Sequence, residues 1–328
     1  MDIKYFDNSA TTRIKEEVLN EMLPFLSIEY GNPSSMYGIG RSAKRAIEEA
    51  RRRVAYLINC KPEEIYFTSC GSESNNTALK GIADKYKEKG KHIITSKIEH
   101  PAILHTAQNL ERHGYKVTYL DVDNNGIIDL QKLQNEINAE TILISIMFAN
   151  NEIGTIEPIK QISNIAHKNG IIFHTDAVQA VGNIEIDVQK LGIDMLSLSG
   201  HKIYAPKGVG ALYVKKGTEN VAEIVGLGKA CQIAERNLKE HEEKLRGLRD
   251  YCLEQMKSKN LKFHINGTMK QRLPGNLNIC FENIDSNELI LKLDAVGICA
   301  SGGSACSSGE NNPSHVLTAI GVPSDLAK

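Results

Sequence analysis

The chain has 328 residues, 41% of them hydrophobic and 24% charged, so it can bury a substantial core and is neither disordered nor fibrous. Lys and Arg total 39 against 40 for Asp and Glu, a net charge of -1, which excludes a bulk electrostatic pull toward nucleic acid or an anionic membrane. Met1 to Thr12 lack the basic start and apolar core of a secretory signal, and no apolar run approaches a membrane span, so a cytoplasmic protein is expected.

Arg41 to Asn59 reads as an amphipathic helix, with Ala43, Ala46, Ile47, Ala50, Val54 and Leu57 at helical spacing. Short apolar runs then alternate with helical patterns: 65–69, 92–96, 141–147, 170–175 and 194–199. Such alternation predicts a largely parallel sheet with helices on both faces, and a ligand crevice beyond the carboxyl ends of its strands. Residues 209–214 read as the last strand of a first domain. A charged helix over 234–257 and a strand over 276–281 follow, so a second, smaller domain is expected, with the division near Gly226.

Two features exclude metal. Asp121-Val-Asp123-Asn-Asn125-Gly126 copies the opening of a calcium loop, but Lys132 stands at the position of the bidentate glutamate, so the segment reads as a turn between a strand ending at Leu120 and a helix from Leu130. The seven cysteines are scattered, with no C-x-x-C pair, and most read as small buried hydrophobes.

The polar residues after the strands carry the chemistry. Ser199-Gly200-His201-Lys202 puts an amine at the crevice mouth, where it can form a Schiff base. Asp176, in His174 to Gln179, can hold a pyridine nitrogen protonated. Ser69-Cys70-Gly71-Ser72-Glu73-Ser74 is a small-residue turn ahead of a helix from about Asn75, a phosphate site that Ser199 and His201 could complete. His100, ahead of Pro101, can exchange protons over a cofactor ring, and Asn150-Asn151-Glu152 offers amides to a ring hydroxyl or a carboxylate. Cys306 lies in a small, polar stretch suited to presenting a thiol. Each reading has an ordinary counterpart: a solvated lysine, a helix N-cap, a polar turn, an incidental surface cysteine.

Taken in order, these segments resemble the class V, fold type I pyridoxal-phosphate (PLP) enzymes, and specifically the cysteine desulfurases of the NifS/IscS type. The resemblance runs from Tyr5-Phe-Asp-Asn-Ser-Ala-Thr-Thr12 and Gly31-Asn-Pro-Ser-Ser35, through Glu99-His100-Pro101, Asn150 to Gly154, His174 to Gln179 and Ser199 to Lys202, to Gly303-Ser-Ala-Cys306-Ser-Ser. The Gly-Ser-Ala-Cys-Ser order is similar to group I enzymes. It implies an α/β architecture: an N-terminal arm (1–15), a large PLP-binding domain (16–226) with a mainly parallel seven-stranded sheet flanked by helices, and a smaller α+β domain (227–328).

The resemblance also implies roles. Lys202 would bind PLP and move the substrate's α proton, Asp176 would pair with the pyridinium, Gln179 would contact the ring oxygen, and His100 would stack on the ring. Asn151 would belong to the cofactor site. Gly71, Ser72, Ser199 and His201 would hold the phosphate, with Thr218 reaching it across a homodimer interface. Cysteine would become alanine, its sulfur left as a persulfide on Cys306 and passed to an iron-sulfur scaffold or a tRNA-thiolation protein. Three departures stand out. The run Lys215-Lys216-Gly217-Thr218 lacks the glycine- and arginine-rich segment of relatives, the sequence closes at Lys328 ahead of the arginine that grips the substrate carboxylate in them, and Ser72 replaces the usual threonine. Another class V reaction, such as selenocysteine lyase or aminotransferase, and a non-catalytic sulfur-transfer scaffold are the alternatives at this point.

Overall fold

The computed structural model describes residues 3–214, 222–282, 284–302, 313–323 and Leu326. Thr218 and Cys306 lie outside the described residues. A short strand β1 (Lys4–Tyr5) leads into α1 (Glu16–Ser27) and α2 (Gly38–Leu57). Then come β2 (Ile65–Thr68), α3 (Gly71–Tyr86), β3 (His92–Ser96), α4 (Pro101–Arg112), β4 (Lys116–Leu120), α5 (Leu130–Glu136), β5 (Thr141–Ser145), α6 (Ile159–Lys168), β6 (Ile172–Asp176), α7 (Val188–Leu191), β7 (Met195–Ser199) and β8 (Gly210–Val214). The chain continues with α8 (Ala222–Ser258), β9 (Phe263–Ile265), β10 (Ile279–Phe281), α9 (Ser286–Ala295), β11 (Ile298–Cys299) and α10 (His315–Ala319).

Among the described residues, seven strands form one sheet in the order β2-β8-β7-β6-β5-β3-β4. The pairs from β7 through β4 are parallel, while β8 runs antiparallel to both β7 and β2. Both faces are dry, which explains the unbroken apolar runs in the sequence. Successive side chains of a strand point to opposite faces. Ile94, Ile144, Leu196 and Ala211 accordingly pack with α2 and α6, while their neighbours Ile93, Leu143, Met195 and Leu212 pack with α3 and α4. Every one of these eight side chains is buried.

The calcium-like run is a turn. The Asp123 carboxylate accepts from the N–H groups of Asn125 and Ile127, both at 2.9 Å, and Asp129 caps α5 at Leu130. The helix expected from Asn75 begins at Gly71 instead, because Gly71, Ser72 and Ser74 all fit its first turn and Cys70 takes the extended N-cap conformation. The charged helix also starts earlier than its periodicity suggested, so α8 runs continuously through residue 226. Its first half joins the main core through Leu227, Ala230, Cys231 and Ile233. Two further two-stranded sheets form: β9 pairs antiparallel with β10, and β1 pairs in parallel with β11, tying the N-terminal residues to the C-terminal part of the chain. No helix among the described residues is long and apolar enough to cross a membrane.

Candidate active site

The parallel strands β3, β5, β6 and β7 end on one side of the sheet, at Ser96, Ser145, Asp176 and Ser199. Beyond these ends lies a cavity of about 170 Å³. It brings together Gly71, Ser72, His100, Asn151, Asp176, Gln179, Ser199, His201 and Lys202, so nine residues singled out from five separate stretches of sequence share one wall-to-wall space.

Asp176 is the last residue of β6 and is 6% exposed. Its Oδ2 accepts from Asn75 Nδ2 at 2.6 Å and its Oδ1 accepts from the Val178 N–H at 3.0 Å, which fixes the carboxylate facing the cavity. Asn75 was not singled out from sequence. Its spacing ahead of Ala78, Leu79 and Ile82 places it on the buried stripe of α3, a signal that was present but pointed to no partner. The other amide atom, Asn75 Oδ1, is buried with no hydrogen-bond partner among the described residues.

Lys202 ends a 3₁₀ turn (Gly200–Lys202) that follows β7 directly. Its Nζ donates to the carbonyl of Ala10 at 2.8 Å and to that of Ser9. Ser9 also accepts from Gln179 Nε2 at 3.0 Å, so the N-terminal arm closes one side of the cavity through backbone carbonyls. These acceptors were invisible in the sequence, since every residue carries one.

Gly71 opens α3, where unpaired backbone N–H groups make an anion-binding end. A Cβ here would stand 2.6 Å from Val178 Cγ2 and 3.4 Å from Ser199 Cβ, so glycine keeps the cradle open. His201 stands beside it, its Nδ1 3.1 Å from Thr11 Oγ1. Burial, with Lys202 and Lys207 nearby, pulls the His201 imidazole down to about 4, so it is neutral at pH 7.

His100 caps α4, with Nδ1 accepting from the Ala102 N–H at 3.1 Å, and Pro101 takes the first helical position. Burial lowers its basicity, opposed by the Asp176 carboxylate and reinforced by Lys202. The adjacent Glu99 is completely buried. Its Oε1 accepts from Ser96 Oγ at 2.8 Å and from the Met147 N–H at 2.9 Å, and desolvation holds its carboxyl well above the usual range.

Residues flanking the stretch that contains Cys306 are fixed near this cavity. Ser301 Oγ donates to Asp7 Oδ1 at 2.7 Å, Ser314 Oγ donates to the buried Glu152 at 2.5 Å, and His315 Nε2 donates to the Glu99 carbonyl at 3.1 Å.

Comparison with known proteins decides the lineage. The family model for class-V aminotransferases matches residues 4–217 and 215–322. The chain belongs to the class-V aminotransferase family, on its cysteine desulfurase branch. A cysteine desulfurase IscS of Methanosarcina thermophila is 52% identical over 341 residues, covering 98% of this chain and 84% of the relative. One from Clostridium botulinum is 51% identical over 344 residues, with 98% and 87% covered. Both matches are longer than the 328 residues of this family member, so the relatives carry segments that it lacks, and its two family-model matches meet at residues 215–217. Among solved structures, a NifS-like protein superposes with a TM-score of 0.92 at 36% identity, covering 99% of this chain and 92% of its own. SspA in complex with cysteine superposes at 0.86 with 37% identity, covering 99% and 96%. The family is PLP-dependent.

Proposed function

We propose that the chain is a PLP-dependent cysteine desulfurase that converts L-cysteine to L-alanine and leaves the sulfur as a persulfide on Cys306. The observation that carries this reading is the single cavity that gathers Lys202, Asp176, His100 and the Gly71 cradle. The residues fit the cofactor: an anion-binding helix end that a Cβ would fill, a buried carboxylate oriented by two hydrogen bonds, and an amine at the strand end between them. Gly71, Ser72, Ser199 and His201 would hold the phosphate, with Thr218 of the partner subunit. Asp176 would pair with the ring nitrogen, Gln179 with the ring oxygen, and Lys202 with the aldehyde, while His100 would cover the ring. When bound, PLP supplies an aldehyde for imine exchange and a ring that withdraws electrons from the substrate's Cα.

The protein's own part is binding and proton movement. Asn151 offers an amide for the substrate carboxylate. The Lys202 amine, once released, takes the proton from Cα. The Cys306 thiolate attacks the substrate sulfur. A sulfur–sulfur bond forms as the substrate's carbon–sulfur bond breaks, the electron pair stays with carbon, and protonation there completes alanine. The identities of the M. thermophila and C. botulinum relatives support this assignment.

We place the enzyme in the cytoplasm as a homodimer, with an iron-sulfur scaffold or another sulfur-acceptor protein taking the persulfide. The chain divides into the arm 1–15, a large domain 16–226 and a small domain 227–328, with α8 as the link and its first half, from Leu227 to Ile233, packed back on the large domain's core. The test is to add cysteine to cofactor-loaded protein and to measure alanine and the Cys306 persulfide. Equal yields in both are expected from wild type. Cys306→Ala should retain the cofactor and lose persulfide, and undiminished sulfide release by that variant would refute the assignment.

A further inference from the structure

A second cavity, of about 200 Å³, shares Lys202 with the cofactor cavity. Ile203, Ile233 and Ala234 give it an apolar wall. Lys15, His241 and Lys244 also line the cavity, and Glu240 is the one carboxylate among its lining residues. Neither Lys15 nor Lys244 makes an ion pair among the described residues, whereas the nearby Arg236 is paired with Glu17 at 3.5 Å. The Lys15 ammonium instead sits 4.6 Å over the ring of Tyr204, whose other neighbour is His241, edge-on at 6.1 Å. Burial lowers the basicity of Lys15, opposed by the Glu17 carboxylate, and burial lowers that of His241, reinforced by Lys15 and Lys244, while lysines outnumber carboxylates in the cavity lining.

Tyr204 has a left-handed backbone, φ +67°, two residues after Lys202. That conformation is costly for a residue with a Cβ and needs support from its surroundings. Its N–H donates to Thr12 Oγ1 at 2.8 Å, and its carbonyl accepts from the Lys15 N–H at 3.2 Å. The Lys15 backbone and the strained turn that carries Lys202 are therefore mechanically joined.

We propose that this cavity binds a small organic acid, its carboxylate on Lys15 and Lys244 and its apolar body against Ile203, Ile233 and Ala234, and that occupancy regulates the turn bearing Lys202. An inorganic anion would satisfy the lysines but leave the apolar wall uncovered, so the chemistry favours a compact carboxylate of single-ring size. The regulatory half of the proposal rests on the assignment of Lys202 as the cofactor lysine, and the binding half does not.

The probe is benzoate, titrated into the cofactor-loaded protein by calorimetry. One saturable site is expected, weakened at least about tenfold in Lys15→Met/Lys244→Met and in Ala234→Leu, which fills the cavity without changing its charge. Lys15→Arg/Lys244→Arg should bind within about threefold of wild type. Saturating benzoate should change turnover at least about twofold in wild type and not in the double Met variant. Absence of saturable binding, or wild-type affinity in both disabling variants, would overturn the proposal. Binding that survives those variants but is lost in Asn151→Ala would put the acid in the cofactor cavity, sinking this site while leaving the proposed function intact. If Lys202 carries no cofactor, the binding arm still reads out on the protein as purified, so the two failures are separable.

Discussion

Glu157→Gln is expected to reverse part of the pH dependence of stability. Glu157 is 3% exposed, its Oε2 accepts from the Ile128 N–H at 3.2 Å, and its Oε1 is buried with no hydrogen-bond partner among the described residues. Burial pushes its carboxyl up to about 8, with the Ile128 bond pulling the other way and Asp123 adding a small further rise. The folded protein thus holds this proton up to about pH 8, whereas the unfolded chain releases it near the ordinary 4.5. The group's contribution is fully present below the unfolded value, declines as pH rises through the window, and is flat above the folded value. Each pH unit inside the window costs about 1.4 kcal/mol, so wild type loses about 3 kcal/mol between pH 5 and pH 7 from this residue. Glutamine is neutral throughout and keeps an acceptor for Ile128. Any cost of burying its extra N–H is independent of pH and shifts the whole curve without tilting it. Urea unfolding of both proteins at pH 5, 6, 7 and 8 should show the variant gaining about 3 kcal/mol on wild type from pH 5 to pH 7. Parallel pH profiles would refute the reasoning.

Gly71→Ala should lower cofactor affinity by about tenfold, about 1.4 kcal/mol, because the new methyl would stand 2.6 Å from Val178 Cγ2 at the mouth of the anion cradle. Val178→Ala in the same protein should restore part of it, and a cofactor titration showing no loss would count against the cradle. Asn75→Ala removes the 2.6 Å bond to Asp176 and strands a buried carboxylate oxygen, so a loss of about 1–3 kcal/mol in cofactor binding is expected from equilibrium dialysis. Because burial keeps His100 below the ordinary 6.5, alanine formation should persist down to pH values beneath that figure; an acid limb above it that vanishes in His100→Gln would contradict the neutral imidazole.

The strands were readable because a parallel sheet buried on both faces needs apolar runs without alternation, as in Ile93-Ile94 and Ile142-Leu143-Ile144. Asp176 and Lys202 were readable for the complementary reason: a charged residue directly after such a run stands at the crevice. Contacts between distant stretches were not. Asn75 meets Asp176 across 101 positions and Lys202 meets the Ser9 carbonyl across 193, and one chain of letters does not say which helix face lies over which strand. Glu99 was read only as part of the turn ahead of His100, and Glu157 was not singled out at all; their near-complete burial comes from the layers packed over these segments. The start of α3 was misplaced by four residues because glycine and serine are weak helix formers in isolation, while a first turn over the cavity tolerates them.

Borohydride reduction of the cofactor-loaded protein, followed by peptide mass mapping, tests the central claim most directly. The account predicts a pyridoxyl adduct on the peptide containing Lys202 and none in Lys202→Ala. An adduct on another lysine, or wild-type protein that takes up no cofactor at all, would contradict it.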